Sequence, residues 1–298
     1  MKKNTTAIVN IVIWSLITVL LISVLTWGIK AKNQAFSPDW RSFPSLYFGN
    51  MDNRDYTVGD SSVNASDVKT LEIDWVAGEV IIQTTDSDRI SFSESFSGNH
   101  NDSKKMCYKL ADEKLSIAAF KTGHSMVNAS TLKKTLTVSV PRNQEFDLIN
   151  ISNVSSNIEV SDVTARDIDI ENVSGKVSVM NHNGRTLDFE TISGKMEYTG
   201  YINKIDCETV SGSLTFMLKN CPAEIDCESV SGSTTIMIPE NDGFSAVLDG
   251  MSGKLSSDFA TSTEKDRLTY KNGGSKFIFE TVSGSVTVNK SSQDVQLF

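Results

Sequence analysis

Ile205-Asp206-Cys207-Glu208-Thr209-Val210-Ser211-Gly212-Ser213-Leu214 returns almost residue for residue as Ile225-Asp226-Cys227-Glu228-Ser229-Val230-Ser231-Gly232-Ser233-Thr234. The first five residues alternate, so Ile205, Cys207 and Thr209 fall on one face of an extended chain and Asp206 and Glu208 on the other. After the Ser-Gly pair the parity changes, and Val210, Leu214, Phe216 and Leu218 become the apolar set. A bend at Ser-Gly lets both halves face one interior, with glycine supplying a tight corner that a side chain would obstruct.

The corner recurs at Gly175, Gly194, Gly212, Gly232, Gly253 and Gly284. The first four steps are 19, 18, 20 and 21 residues, and the last is 31, which implies an insertion around Thr261 to Gly274. Weaker copies lie upstream: Leu148 to Ser156 has Ser156 in place of the turn glycine, and Leu71 to Gly78 has Ala77 in place of the serine. Strand signals at Arg89–Ser95, Lys114–Phe120 and Thr135–Val140 separate them. A unit this short cannot bury its own apolar face and must stack on copies of itself. A meander of hairpins would pair unlike positions, whereas a parallel solenoid stacks like on like, as these repeats do. The reading is an all-β, repetitive parallel β-solenoid-like stack of about 20 residues per rung, behind one N-terminal transmembrane helix.

That helix is read from Ala7 to Ile29, a stretch without a charged residue in which only Asn10 is strongly polar. At about 1.5 Å per residue it reaches across a hydrocarbon core of about 30 Å, and it exceeds the apolar region of a cleaved signal peptide. Lys2 and Lys3 precede the span and Lys30 and Lys32 follow it, so charge barely decides its orientation. The acidic, Ser/Thr-rich body reads as an exported surface, which predicts a cytoplasmic N-terminus and an extracellular C-terminal domain. The organisation is then residues 1–6 inside, 7–29 spanning, 30–70 a juxtamembrane linker and 71–298 the β-repeat domain, with 71–145 a capping layer and 146–290 the regular rungs.

Those four lysines are the only charges in residues 1–32, so 28 basic residues become 24 in the body against 37 acidic ones. With no basic stripe to neutralise phosphates, nucleic acid is not a partner. Cys107, Cys207, Cys221 and Cys227 form no C-x-x-C pair, and His100, His124 and His182 are scattered, so no zinc site is predicted. Cys207 and Cys227 hold the same repeat position and read as small buried hydrophobes in an inward ladder.

The repeat, with Tyr108-Lys109-Leu110-Ala111-Asp112-Glu113-Lys114-Leu115-Ser116-Ile117 and Thr135-Leu136-Thr137-Val138-Ser139-Val140-Pro141, resembles the bacterial putative-adhesin family of β-strand-repeat domains of unknown function. The likeness covers about Leu71 to Asn289. It implies a protein on or outside the bacterial membrane, held by one N-terminal span, and is nearly silent on chemistry.

The outward positions predict two acidic columns, Asp169, Asp188, Asp206 and Asp226 in one and Glu171, Glu190, Glu208, Glu228, Asp249 and Glu280 in the other. At a rung spacing of about 4.8 Å two unit charges repel by about 0.9 kcal/mol even in water. Lys176, Lys195 and Lys254 follow the turns and are placed to offset part of this. A calcium ladder on Asp169, Glu171, Asp188, Glu190, Asp206, Glu208, Asp226 and Glu228 is the sharper alternative, since hard cations take several carboxylates. A solvated acidic face that keeps the sheet soluble is the reading preferred, with no metal and no cofactor.

Catalysis is not expected, because it needs one constellation with separated pKa values and here every rung repeats the same pair. The function expected is non-catalytic binding or adhesion at the cell envelope, with wall polymer, glycan or a surface protein as partner. The alternative is an accessory subunit of an envelope-stress sensing system. Loops Ser97–Met106 and Thr261–Gly274 are the places where specificity would sit.

Overall fold

The computed structural model describes residues 55–96, 105–121 and 134–291. The proposed span and linker, to residue 54, lie outside the described residues; among those described, no helix is long and apolar enough to cross a membrane. The strands are β1 (Thr57–Val58), β2 (Ser61–Asn64), β3 (Thr70–Thr85), β4 (Arg89–Phe96), β5 (Cys107–Ala111), β6 (Lys114–Ala118), β7 (Lys134–Pro141) and β8 (Glu145–Ser161). Then follow β9 (Thr164–Asn183), β10 (Thr186–Tyr201), β11 (Lys204–Leu218), β12 (Glu224–Ile238), β13 (Gly243–Ser257), β14 (Ser262–Glu264), β15 (Arg267–Lys271) and β16 (Ser275–Lys290).

The long strands cannot be straight. β10 has 16 residues, about 50 Å when extended at about 3.3 Å per residue, yet its successor begins after only Ile202 and Asn203, a gap of about 11 Å. Because β10 and β11 nevertheless pair in parallel from Thr186↔Lys204 to Gly200↔Leu218, each strand must fold back on itself before the next rung starts. The expected parallel solenoid is thus observed, and the meander is excluded. Like residues meet along it, as in Asp188↔Asp206↔Asp226 and Phe189↔Cys207↔Cys227.

The fold-back is at Ser-Gly. Thr209 and Leu214 both point into the core, which leaves Val210 to Ser213 on the outside of the bend. Val210 is therefore half-buried, a correction to its expected place in the interior set, whereas Leu214, Phe216 and Leu218 are buried. The glycines are required chiefly by close stacking. A Cβ on Gly212 would lie 2.7 Å from the Gly194 carbonyl oxygen, and on Gly175, at φ +128°, only 2.2 Å from that of Ser156. Ser156 itself is buried.

The first-arm residues Leu187, Ile205 and Ile225 and the second-arm residues Tyr198, Phe216 and Ile236 share one continuous core. Truncating Phe216 to alanine there would cost about 3–5 kcal/mol. Inside the corner runs a polar ladder: Asn153 Nδ2 donates to Asn172 Oδ1 at 2.7 Å, and Ser229 Oγ to Thr281 Oγ1 at 2.9 Å. Cys207 and Cys227 are buried free thiols, as the ladder reading required.

The rungs do not stack in sequence order at the C-terminal end. The order is β11-β12-β16-β13-β15-β14, so the last strand among the described residues lies between β12 and β13. Gly284 is registered against Gly232 on one side and Gly253 on the other. The expected insertion is the hairpin β14–β15, which pairs antiparallel along Gly243–Val247 of β13. It closes that arm and returns the chain to the vacant slot. Glu240 fastens the arrangement by accepting hydrogen bonds from Tyr270, Lys271 and Lys290.

At the opposite end, β6 and β7 cover the two arms of β3 in parallel, and β5, β4 and β2 add antiparallel layers. Here sits a buried pair, Lys134 with Glu94. The Lys134 ammonium also donates to the Ala119 carbonyl at 2.7 Å and lies 5.2 Å from the centroid of the Trp75 ring. Charges so enclosed persist only when hydrogen-bonded on all sides. Burial holds the Lys134 pKa below its ordinary value despite Glu94.

Candidate binding face

On the first arm, side chains alternate strictly, so every second residue of each rung faces outward. Register brings Asp169, Asp188, Asp206 and Asp226 into one column. Glu171, Glu190, Glu208, Glu228, Glu280 and Asp249 form the next. The first column ends at Asp226, with Ile278 in the next place, and the second runs two rungs further, through Glu280 to Asp249. Both acidic columns read from the sequence are therefore assembled.

The sequence reading missed their continuation onto the capped end. Glu72 is registered with Asn150 and through it with Asp169, and Asp74 with Ser152 and Glu171. The signal was present in Leu71-Glu72-Ile73-Asp74, which has the phase of the later copies. Glu72 is neutralised by Lys114 at 3.0 Å and accepts from Ser116 at 2.7 Å. Asp74 has one carboxylate oxygen buried without a hydrogen-bond partner.

Eight carboxylates of the two columns, and Asp74 beyond them, are pushed upward. Partial burial, then repulsion along the columns, pushes Asp188 up to about 6 and Glu190 and Glu228 up to about 7. Asp74 is driven to about 7, first by burial and then by Glu72. Asp169, Glu171, Glu208, Asp226 and Glu280 move in the same direction, with burial the leading cause in each.

Lysine relief is scarce, contrary to expectation. Lys176 and Lys195 turn instead to Glu197 on the second arm, at 2.7 and 2.6 Å. Near the columns Lys204 stands 3.9 Å from Asp206 and 3.8 Å from Glu224. Among the described residues no three His, Cys, Asp or Glu side chains are grouped so as to hold a metal ion.

The outward face of the second arm is different. Ser213, Ser233 and Ser285 form one ladder and Thr215, Thr235 and Thr287 the next. The rest of the chemistry is enclosed. His182 takes a hydrogen bond between Nδ1 and the Tyr198 hydroxyl at 2.7 Å and another from Nε2 to the Ala165 carbonyl at 3.0 Å, and burial depresses it to about 4. His100 and His124, like loop residues 97–104, lie outside the described residues. A cleft of about 500 Å³ lies over the return turns, bordered by Lys69, Arg166 and Arg185. Each of these cations is already paired with a carboxylate, Glu113, Asp147 and Asp167 respectively.

Residues 68–202 match the family model described as Toastrack DUF4097, in keeping with the resemblance to β-strand-repeat domains of unknown function drawn from the sequence. Solved structures that this chain is similar to include a putative cell adhesion protein from Clostridium sporogenes, 11% identical, covering 79% of this chain and 100% of its own, at a TM-score of 0.36. A putative adhesin from Bacteroides fragilis is 11% identical over 79% of this chain and 97% of its own, at 0.34. A protein from Parabacteroides distasonis described as a putative lipid binding protein is 12% identical over 78% and 96%, at 0.43. No curated protein matches this chain.

Proposed function

We propose that this chain is a non-catalytic binding protein of the bacterial cell envelope, tethered through residues 7–29 with its β-repeat domain outside the cell, and that the acidic face of the first arms contacts repeated cationic groups on the surface it binds. The observation that carries this reading is the ladder itself: eight carboxylates, Asp169 to Glu228, held in register over four consecutive rungs. A rigid array of like charges at about 4.8 Å spacing suits a polymer or surface with many weak contacts better than one small ligand.

Two features argue against catalysis. A carboxylate pair working as acid and base needs its two pKa values driven apart, whereas both members are driven upward in the pairs Asp169–Glu171, Asp188–Glu190 and Asp226–Glu228. His182 is neutral and enclosed, with both ring nitrogens engaged. A calcium role is not part of the proposal, since one carboxylate per column per rung does not enclose an ion with six to eight oxygens.

The test is cosedimentation of the purified protein with isolated cell wall. Wild type should bind in low salt and release as ionic strength rises, because screening shortens the reach of exposed charges to about 8 Å at 0.15 M. A variant carrying Asp188→Asn, Glu190→Gln, Asp206→Asn and Glu208→Gln should lose most of that binding while keeping its melting transition. Undiminished binding by the folded variant refutes the acidic face as the contact.

A further inference from the structure

The inward row that holds Cys207 and Cys227 is otherwise filled by large side chains. Register sets Ile170 and Phe189 before them and Phe279 and Leu248 after them, all buried. The two small members of the row are therefore direct neighbours, one on β11 and one on β12. As packing this is a loss, because a void forfeits contacts. A cavity of about 10 Å³ lies between β12 and β16, lined by Cys227, Ser229, Thr234 and Phe279 among others. Cys227 is thus loosely packed on its β16 side, where its Sγ has room to turn. On its other side the two thiols are in hydrogen-bond contact.

We propose that Cys207 and Cys227 become joined by a disulfide across adjacent rungs, a covalent staple of β12 onto β11 that forms as the protein folds outside the cell. The structure shows the pair in its reduced form. Directly registered residues on parallel strands stand about 4.8 Å apart, within the Cα separation of about 4.4–6.8 Å that disulfides span. Both side chains leave the same face, so their Cβ atoms need to close by about 1 Å to reach the usual separation of about 3.8 Å. Cys107 is registered instead against Val58 and Ala118, and Cys221 donates to the Ser275 hydroxyl at 3.5 Å.

The bond is made by exchange with a disulfide oxidant, a small molecule or a protein. One cysteine thiolate attacks a sulfur of the oxidant and expels the first of its thiols, and the second cysteine then displaces the other from the mixed disulfide. The pair gives up two protons and two electrons, and the S–S bond of the oxidant is reduced to two thiols. Timing follows from burial. In the folded protein burial, and then the contact with Cys227, holds the Cys207 thiol well above its ordinary value, which leaves little of the reactive thiolate. Exchange therefore precedes closure of the rung. Until β16 is made, β12 has β11 alone beside it, and the staple holds it there in the interval. The inference rests on the register of two rungs and not on the acidic face, so either can fail without the other.

The test is refolding of the full chain from denaturant in detergent with reduced and oxidised glutathione, followed by alkylation of free thiols and peptide mapping by mass spectrometry. One intramolecular link, Cys207 to Cys227, should appear, with Cys107 and Cys221 alkylated. The linked protein should melt about 5–10 °C above the same protein refolded in reductant, as closure of a loop of this length predicts. The link should form at least tenfold faster during refolding than in protein already folded. Cys207→Ala and Cys227→Ala, shown by their melting curves to be folded, should each melt at the same temperature in both conditions. Recovery of Cys207 and Cys227 as alkylated thiols overturns the proposal. So does a link through Cys107 or Cys221, a linked protein that melts no higher than the reduced one, or equal rates of formation before and after folding.

Discussion

Replacing Glu190 with glutamine should stabilise the protein at pH 8 and leave it unchanged at pH 5. Glu190 stands between Glu171 and Glu208 in the second acidic column. At a rung spacing of about 4.8 Å each neighbour repels it by about 0.9 kcal/mol in water, and physiological salt cuts this to about half, so two neighbours contribute about 1 kcal/mol. Its pKa of about 7 would by itself imply about 3 kcal/mol relative to an unfolded value near 4.5. Glu190 is solvent-exposed, however, and exposed charge interactions rarely exceed about 1 kcal/mol, so the lower figure is the one adopted. Because the folded-state pKa is raised, this group's favourable contribution is complete below about pH 4.5 and disappears as pH rises through 7. Glutamine removes the repulsion that wild type meets only above that range. Thermal melts should show Glu190→Gln about 2–4 °C above wild type at pH 8, converging at pH 5 and in 1 M salt. Equal melting at pH 8, or the same gain at pH 5, would refute the reasoning.

Gly175→Ala should cost at least about 2 kcal/mol in denaturant unfolding, more than Gly194→Ala, because Gly175 alone of the two combines a positive φ with a 2.2 Å approach to the carbonyl above it; equal costs would remove the stacking argument. His182, depressed to about 4 by burial, should stay neutral through pH 5 in nuclear magnetic resonance titration. Its contribution is present above pH 6.5 and lost as pH falls through 4, so a midpoint near 6.5 would show the ring to be solvated. A water-soluble maleimide should label native protein at Cys221 alone, since Cys107, Cys207 and Cys227 are buried; two or more adducts before unfolding would contradict the packed interior.

The rung was legible because alternation and the Ser-Gly corner are both local. Ile205, Cys207 and Thr209 went inward and Asp206 and Glu208 outward as their spacing required, and parallel stacking followed from like residues at like positions. Stacking order was not legible. The copy around Gly284 matches the one around Gly232 as well as the one around Gly253, so nothing in its residues tells which neighbour it will find. Partner choice by Lys176 and Lys195 was equally hidden, since both the columns and Glu197 lie within a side chain's reach and only the direction of the second arm decides. Asp74 and Glu72 were missed for a different reason: their copy lies far from the regular rungs in sequence and adjoins them only through β8.

The placement of β16 makes the order of synthesis differ from the order of stacking. From β8 to β12 each strand can be laid down upon a neighbour already made. β13 cannot, because its proper neighbour has yet to be made, and contacts such as Ser229 to Thr281 span 52 residues. A frameshift or protease cut just after Gly274 would therefore remove an inner course of the wall and leave its coping stone unsupported. For this protein β16 is a keystone, and its integrity becomes a checkpoint for the whole distal end.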